Sequence, residues 1–114
     1  MIRRQEEMPV ELRRQMRGGD GEVTVTKLFL PEESDSRIKF YAVLTIPQGA
    51  GIGYHVHQGE QEMFYVLSGE GEYNDNGTPT VLRPGDSSLT QSGEGHGVNN
   101  CREEPLQMLA LIVT

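Results

Sequence analysis

An all-β fold of many short strands is what this sequence predicts, and three observations carry the prediction. From Glu22 the residues alternate with period two, Val23, Val25, Lys27 and Phe29 standing against Thr24, Thr26, Leu28 and Leu30, as on a strand whose side chains point to opposite faces. Gly, Asn, Asp and Pro interrupt the apolar runs about every 8–12 residues, the spacing of a β-sandwich or barrel. No helical period occurs after residue 17.

Taken in order, residues 1–17 are charged, with Val10, Leu12 and Met16 as scattered anchors, and read as a turn of helix or an extended arm. Gly18-Gly19-Asp20-Gly21 then breaks the chain, so residues 1–21 are expected to form an N-terminal extension and residues 22–114 a single domain. The first strand ends at Pro31, and Glu32–Ser36 is a polar loop. Arg37–Ile46 is β-rich; after Pro47, Gly49, Gly51 and Gly53 bend the chain beside Tyr54-His55-Val56-His57. Glu62–Leu67 is a strand, Gly69-Glu70-Gly71 a hairpin turn, and the following strand runs to Asp75-Asn76-Gly77, where Asn-Gly is a strong signal for a tight hairpin. Thr80–Leu82, Ser87–Thr90, His96–Asn100 and Leu106–Val113 complete about nine strands.

The totals narrow the function. At 114 residues there is room for one domain with a real core. The net charge of −7 repels phosphate backbones and anionic lipid surfaces, so neither nucleic acid nor membrane is an expected partner. Cys101 is the one cysteine, which rules out an intrachain disulfide and suits a reducing compartment; a cytoplasmic location is expected. The first residues are basic and then acidic with no apolar stretch behind them, so neither a signal peptide nor a bilayer span is expected. Met63–Leu67 and Leu106–Val113 are apolar at both parities, which predicts burial on both faces and hence a homodimer.

All three histidines fall into one pattern: His55 and His57 two apart, Glu62 five residues later, and His96 downstream. Residues two apart on a strand share a face, so both imidazoles can meet one ion. Gln58-Gly59-Glu60-Gln61 is a turn that resets strand parity and brings Glu62 in, with Phe64 and Val66 continuing its face as an apolar wall. Three imidazoles and a carboxylate suit one divalent transition-metal ion (Mn, Fe, Ni, Co, Cu or Zn) better than Mg or Ca, which prefer oxygen shells. Four ligands leave two places open on a six-coordinate ion, where water, dioxygen or a bidentate small molecule can bind.

Residues 49–69 resemble the first motif of the cupin superfamily, G(x)5HxH(x)4E(x)6G, at Gly49, His55, His57, Glu62 and Gly69. Residues 85–100 resemble the second motif, G(x)5PxG(x)2H(x)3N, at Gly85, Gly93, His96 and Asn100, with Gln91 where proline is usual. The resemblance implies a double-stranded β-helix, or jelly-roll, barrel with the metal at its mouth. The stretch Gly51–Gly77 is similar to small single-domain cupins compared with oxalate decarboxylases, which implies a metalloenzyme for a hydroxy- or oxo-acid, working by decarboxylation or with dioxygen. Those enzymes have two such domains and an acidic lid residue, and neither is evident here. Two other functions are open: isomerisation or epimerisation of a sugar or sugar phosphate, and a metal-dependent sensor or ligand-binding module without catalysis.

Further residues have a functional and a plain structural reading. Tyr54, Phe40, Phe64, Asn99 and Asn100 are candidates to line the pocket, although aromatics more often fill cores and asparagines close turns. Arg37, Arg83 and Arg102 are candidates for an anionic substrate, with surface placement favoured. Glu60 is a candidate base at the mouth, with a solvated turn residue favoured. Cys101 is expected to be a half-buried structural residue, because no histidine remains to activate it.

Overall fold

The computed structural model describes all residues from Met1 to Thr114. Ten strands form two antiparallel sheets: β1 (Val10–Arg14), β2 (Glu22–Lys27), β3 (Ile38–Ile46), β4 (Gly51–Val56), β5 (Gln61–Ser68), β6 (Gly71–Asp75), β7 (Thr78–Leu82), β8 (Ser87–Thr90), β9 (Gly95–Asn99) and β10 (Leu106–Val113). The larger sheet has the order β1-β2-β3-β10-β5-β8 and the smaller β4-β9-β6-β7. The all-β jelly roll expected from the sequence is thus present as two sheets, each with its own free edges.

Period-two alternation decides what enters the core. Val23 and Val25 of β2, Leu44 and Ile46 of β3, Phe64 and Val66 of β5, and Met108 and Ala110 of β10 are buried and pack with Ile52, Tyr73 and Val98 of the smaller sheet. The opposite parity of the larger sheet faces outward and is also apolar, with Tyr65, Leu67 and Leu89 nearly half exposed. The pairing register sets Leu109 between Val43 and Tyr65, and Leu111 between Tyr41 and Met63, across that outer face.

Turn chemistry fits the expected places. Asn76 and Gly77 take φ values of 49° and 98°, the positive values that a tight β6–β7 hairpin demands. Pro79 sits in β7, an edge strand, where its missing donor costs no ladder bond.

The N-terminal segment departs from the expected appendage. Val10–Arg14 is an edge strand of the larger sheet, paired from Val10 with Thr26 to Arg14 with Glu22. Beyond it Met16–Gly18 makes a 3₁₀ turn that packs on β4. The two glycine clusters noted in the sequence are seated against one another here: a Cβ on Gly19 would collide with the backbone of Gly51 and Gly53, and one on Gly53 with the carbonyl of Arg17. Gly51 N–H also donates to the Asp20 carbonyl at 2.9 Å. Residues 15–21, the connection between β1 and β2, therefore form a strap joining that end of the larger sheet to the β4 edge of the smaller one. Gln15 and Arg17 hold positive φ (49° and 53°), a conformation unfavourable for side chains with a Cβ and retained because this backbone packing leaves little choice.

Candidate metal centre

Four side chains converge between the sheets: His55 from β4, His57 just beyond it, Glu62 from β5 and His96 from β9. The parity argument holds with one addition. Between Ile52 and His55 the pairing of β4 with β9 shifts register, a bulge that turns Tyr54 outward and His55 inward, opposite His96. The turn around Gly59 (φ 73°) resets direction as expected, so that Glu62, Phe64 and Val66 all face in.

The four donor atoms lie within 4.8 Å of one another. The three imidazole centroids form a near-equilateral triangle with sides of 4.8, 4.9 and 5.0 Å. His57, Glu62 and His96 are buried, while His55 is partly open.

Hydrogen bonds orient each ring. The His55 Nδ1–H donates to the Gly53 carbonyl at 2.8 Å, and the His57 Nδ1–H donates to Glu60 Oε2 at 2.7 Å. Both partners only accept, so in the neutral His55 ring the lone pair is on Nε2, facing the cluster, whereas His57 has a carboxylate at each ring nitrogen, Glu60 at Nδ1 and Glu62 at Nε2, and is favoured in its protonated form. His96 Nδ1 lies 2.9 Å from the Tyr73 hydroxyl and 3.0 Å from that of Thr90, and its ring stacks on Phe64 at an interplanar angle of 11°. These partners set ring orientation in the way that outer hydrogen bonds orient metal-ligating histidines.

The donor set fits a cation. His57 Nε2 is 3.1 Å from both Glu62 Oε1 and His96 Nε2, and His96 Nε2 is 3.0 Å from Glu62 Oε1. His57 and His96 thus turn an Nε2 both to the same carboxylate oxygen and to each other, three ligand-type atoms in a closed triangle. A shared ion about 2.0–2.2 Å from each donor would satisfy all three, and such separations suit donors at roughly right angles around it.

The titration behaviour of the metal-free cluster follows its contacts. Burial pushes the His55 pKa down, helped by the charges of His96, Arg17 and His57, against a raising effect from the Gly53 carbonyl. The Glu62 carboxylate raises His57, with Glu60 adding to it and burial opposing. Burial alone would raise Glu62, but hydrogen bonds to His57 and His96 outweigh it and hold the carboxyl below its ordinary value.

The cluster opens on a cavity of about 70 Å³ lined by Arg13, Met16, Arg17, Phe40, Leu44, Ile52, Phe64 and Ile112 together with His55, His57 and Glu62. Phe40 and Phe64, expected at the pocket, line it. Tyr54 does not: it is on the outer face of the smaller sheet, packed over Gly95 and Gly97. Asn99 is exposed on that face as well. Asn100 is buried as a loop clamp, donating to the carbonyls of Ile46 and Glu104 and accepting from the Arg102 backbone N–H. Arg37, Arg83 and Arg102 pair with Asp35, Glu70 and Glu72 away from the cavity. Cys101 is exposed, against the expected half-burial, because it lies in the turn after β9.

Sequence reasoning missed two groups. Glu60 is tied to His57 instead of to solvent, a role its position three residues after the histidine could have suggested. Arg13 reaches the cavity from β1, and Met16 and Arg17 reach it on the strap through glycine-to-glycine backbone packing, for which the local sequence holds no signal beyond the glycines themselves.

A two-sheet jelly roll with three histidines and a carboxylate gathered between its sheets defines a class of small β proteins with a site that could hold a metal ion. Residues 42–112 match the Cupin domain family, and the chain belongs to it. Over 113 residues, 99% of this chain and 93% of the relative, it is 37% identical to the oxalate-binding protein of Thermotoga maritima. A crystal structure from Thermotoga maritima described as a predicted oxalate decarboxylase superposes with a TM-score of 0.94 at 37% identity, covering 99% of this chain and 98% of the other. The cupin domain of Schizosaccharomyces pombe Cnp3 shares the fold at a TM-score of 0.74 and 18% identity, over 92% of this chain and 69% of that one.

Proposed function

We propose that His55, His57, Glu62 and His96 hold one divalent transition-metal ion and that a small oxygen-bearing acid completes its coordination. The observation that carries this reading is the convergence of three imidazoles and one carboxylate, with the buried Nε2 atoms of His57 and His96 and Oε1 of Glu62 only 3.0–3.1 Å apart, a donor set and spacing that suit one shared cation. A bound ion would polarise a chelating carboxylate or exchange electrons with dioxygen. The chain's own residues contribute the rest. Glu60, Tyr73 and Thr90 hold two rings in place, and Phe40, Leu44 and Phe64 keep bulk water from the cavity wall.

Cavity chemistry points to the ligand class. The cavity beside the cluster opens to solvent and carries Arg13 and Arg17 on its wall, which suits a small anionic acid. The oxalate-binding relative supports the same class.

Decarboxylation or dioxygen chemistry on that acid is the enzymatic form of the proposal. A second reading, metal-dependent binding without turnover, is favoured by one observation: apart from the ligands, the titratable residues lining the cavity are arginines, which cannot supply a proton. Carbon dioxide release and dioxygen uptake, measured over a panel of small acids with Mn-, Fe-, Co-, Ni-, Cu- and Zn-loaded protein, separate the two. Turnover abolished in His55→Ala establishes an enzyme; saturable calorimetric binding with no turnover establishes a binding module; neither binding nor turnover with any acid contradicts both.

We further propose a homodimer through the outer face of the larger sheet, supported by the apolar rows around Leu109 and Leu111. Light scattering of Leu109→Glu should show the monomer mass where the parent shows a dimer, and a monomeric parent at micromolar concentration removes the proposal. The lone Cys101 accords with a cytoplasmic location, and no helix is long and apolar enough to cross a membrane.

A further inference from the structure

The strap puts an uncompensated positive charge on an otherwise apolar and metal-ligating cavity. In a chain with 17 acidic residues against ten basic ones, most cations hold a carboxylate at contact distance. Arg17 lines the cavity and holds none, and its side chain makes no hydrogen bond within the protein. Arg13, the other arginine on the cavity wall, is already engaged: its Nε is 3.0 Å from Glu11 and its guanidinium lies over the Phe40 ring, 5.4 Å from the centroid. Glu11 is shared with Lys27, also at 3.0 Å, so it does not cancel both charges.

The backbone keeps Arg17 in place at some conformational cost. Its φ of 53° is unusual for a residue with a side chain, and its carbonyl is packed against Gly53, two residues before His55. A guanidinium so placed, on a segment clamped to the strand that carries a metal ligand, has the fixed fork geometry that selects a planar carboxylate. A monocarboxylate bound at the cluster would leave Arg17 unmatched. A dicarboxylate small enough for the cavity would meet the cluster with one end and Arg17 with the other.

We propose that Arg17 is the anion-recognition residue of this site, pairing with the outer carboxylate of a small dicarboxylate whose inner oxygens face His55, His57, Glu62 and His96. The proposal rests on the metal reading above and deepens it, because the strap, and not the sheets, then decides which acid is accepted.

The test is calorimetric binding to Mn-loaded full-length protein, with oxalate as the dianion probe and formate as the monoanion. In Arg17→Gln the oxalate dissociation constant should rise about 10- to 100-fold, the loss expected for a charge-assisted bidentate pair. Formate affinity, Mn²⁺ affinity and melting temperature should stay within about twofold or a degree of the parent, and Arg17→Lys should recover part of the loss. Arg14→Gln, on the outward parity of β1, should leave oxalate binding unchanged. Oxalate binding to Arg17→Gln at parental strength, with Mn²⁺ retained, overturns this proposal alone. Failure of the parent protein to retain Mn²⁺ or any other divalent transition metal overturns the metal reading and this proposal with it.

Discussion

The two walls of the cavity are built on opposite principles. On one side His57, Glu62 and His96 are buried, their rings held by hydrogen bonds to Glu60, Tyr73 and Thr90, and by stacking on Phe64. On the other side the strap is largely exposed, seated by glycine backbones, and presents Arg17 with no partner in the protein. The difference teaches where each property resides. Affinity for the ion depends on rigid, pre-oriented donors, whereas discrimination between acids can lie on a peripheral segment that changes without disturbing them.

Removing a ligand attacks the rigid wall and should have the largest effect. Metal-binding free energies of about 10–16 kcal/mol spread over four ligands give about 3 kcal/mol each, so His96→Ala should weaken metal affinity by more than about 100-fold in competition titrations. A loss under tenfold would show that His96 is not a ligand. Glu60→Gln leaves the ligands intact but removes the carboxylate that orients His57; a loss of about 10- to 100-fold is expected. Unchanged affinity would return Glu60 to the role of a solvated turn residue.

Acidity sharpens the same contrast. His57 is raised in the metal-free fold, so its protonation stabilises that state fully below about pH 6.5 and the contribution fades as pH rises through the folded value. Glu62 is lowered, so its contribution is present above its ordinary value and lost as pH falls through the folded one. Metal must displace the His57 proton, so the melting-temperature increase on adding metal should grow from about pH 6 to pH 8. A pH-independent increase would mean that the ion does not compete with that proton.

The smallest effect on the metal is expected from the strap. Gly19 has an ordinary φ of −75°, so Gly19→Ala introduces a collision with Gly51 and Gly53 and no dihedral strain. It should cost about 1–3 kcal/mol of stability in denaturant titrations, as overpacking does, while metal affinity changes less than about threefold. A metal-affinity loss as large as that of His96→Ala would show the two walls to be one cooperative unit.

The same two walls differ in how far the sequence revealed them. The His55–His57 spacing, the parity reset before Glu62 and the Asn76-Gly77 turn are local features, each set by backbone periodicity or by the φ values a turn requires, and each can be read from neighbouring residues. The pairing of β1 with β2, the bulge that turns Tyr54 outward and the strap are tertiary. The strap arises where Gly18–Gly21 meets Gly49–Gly53, and no period in either segment announces the other. Arg17 therefore read as part of a charged appendage, while Asn100, placed near the pocket by its motif, proved to be a clamp on the loop before β10. Glu60 was ambiguous for a different reason: the same residue in the same turn can face water or an imidazole, and only the ring's position decides.

The central claim is that the four converging side chains share one cation. Elemental analysis of untagged protein, loaded in turn with Mn, Fe, Co, Ni, Cu and Zn and then dialysed, tests it most directly. One equivalent retained per chain by the parent, and none by a His57→Ala, His96→Ala double variant, is the expected result; no ion retained by the parent, or equal retention by the double variant, would contradict it.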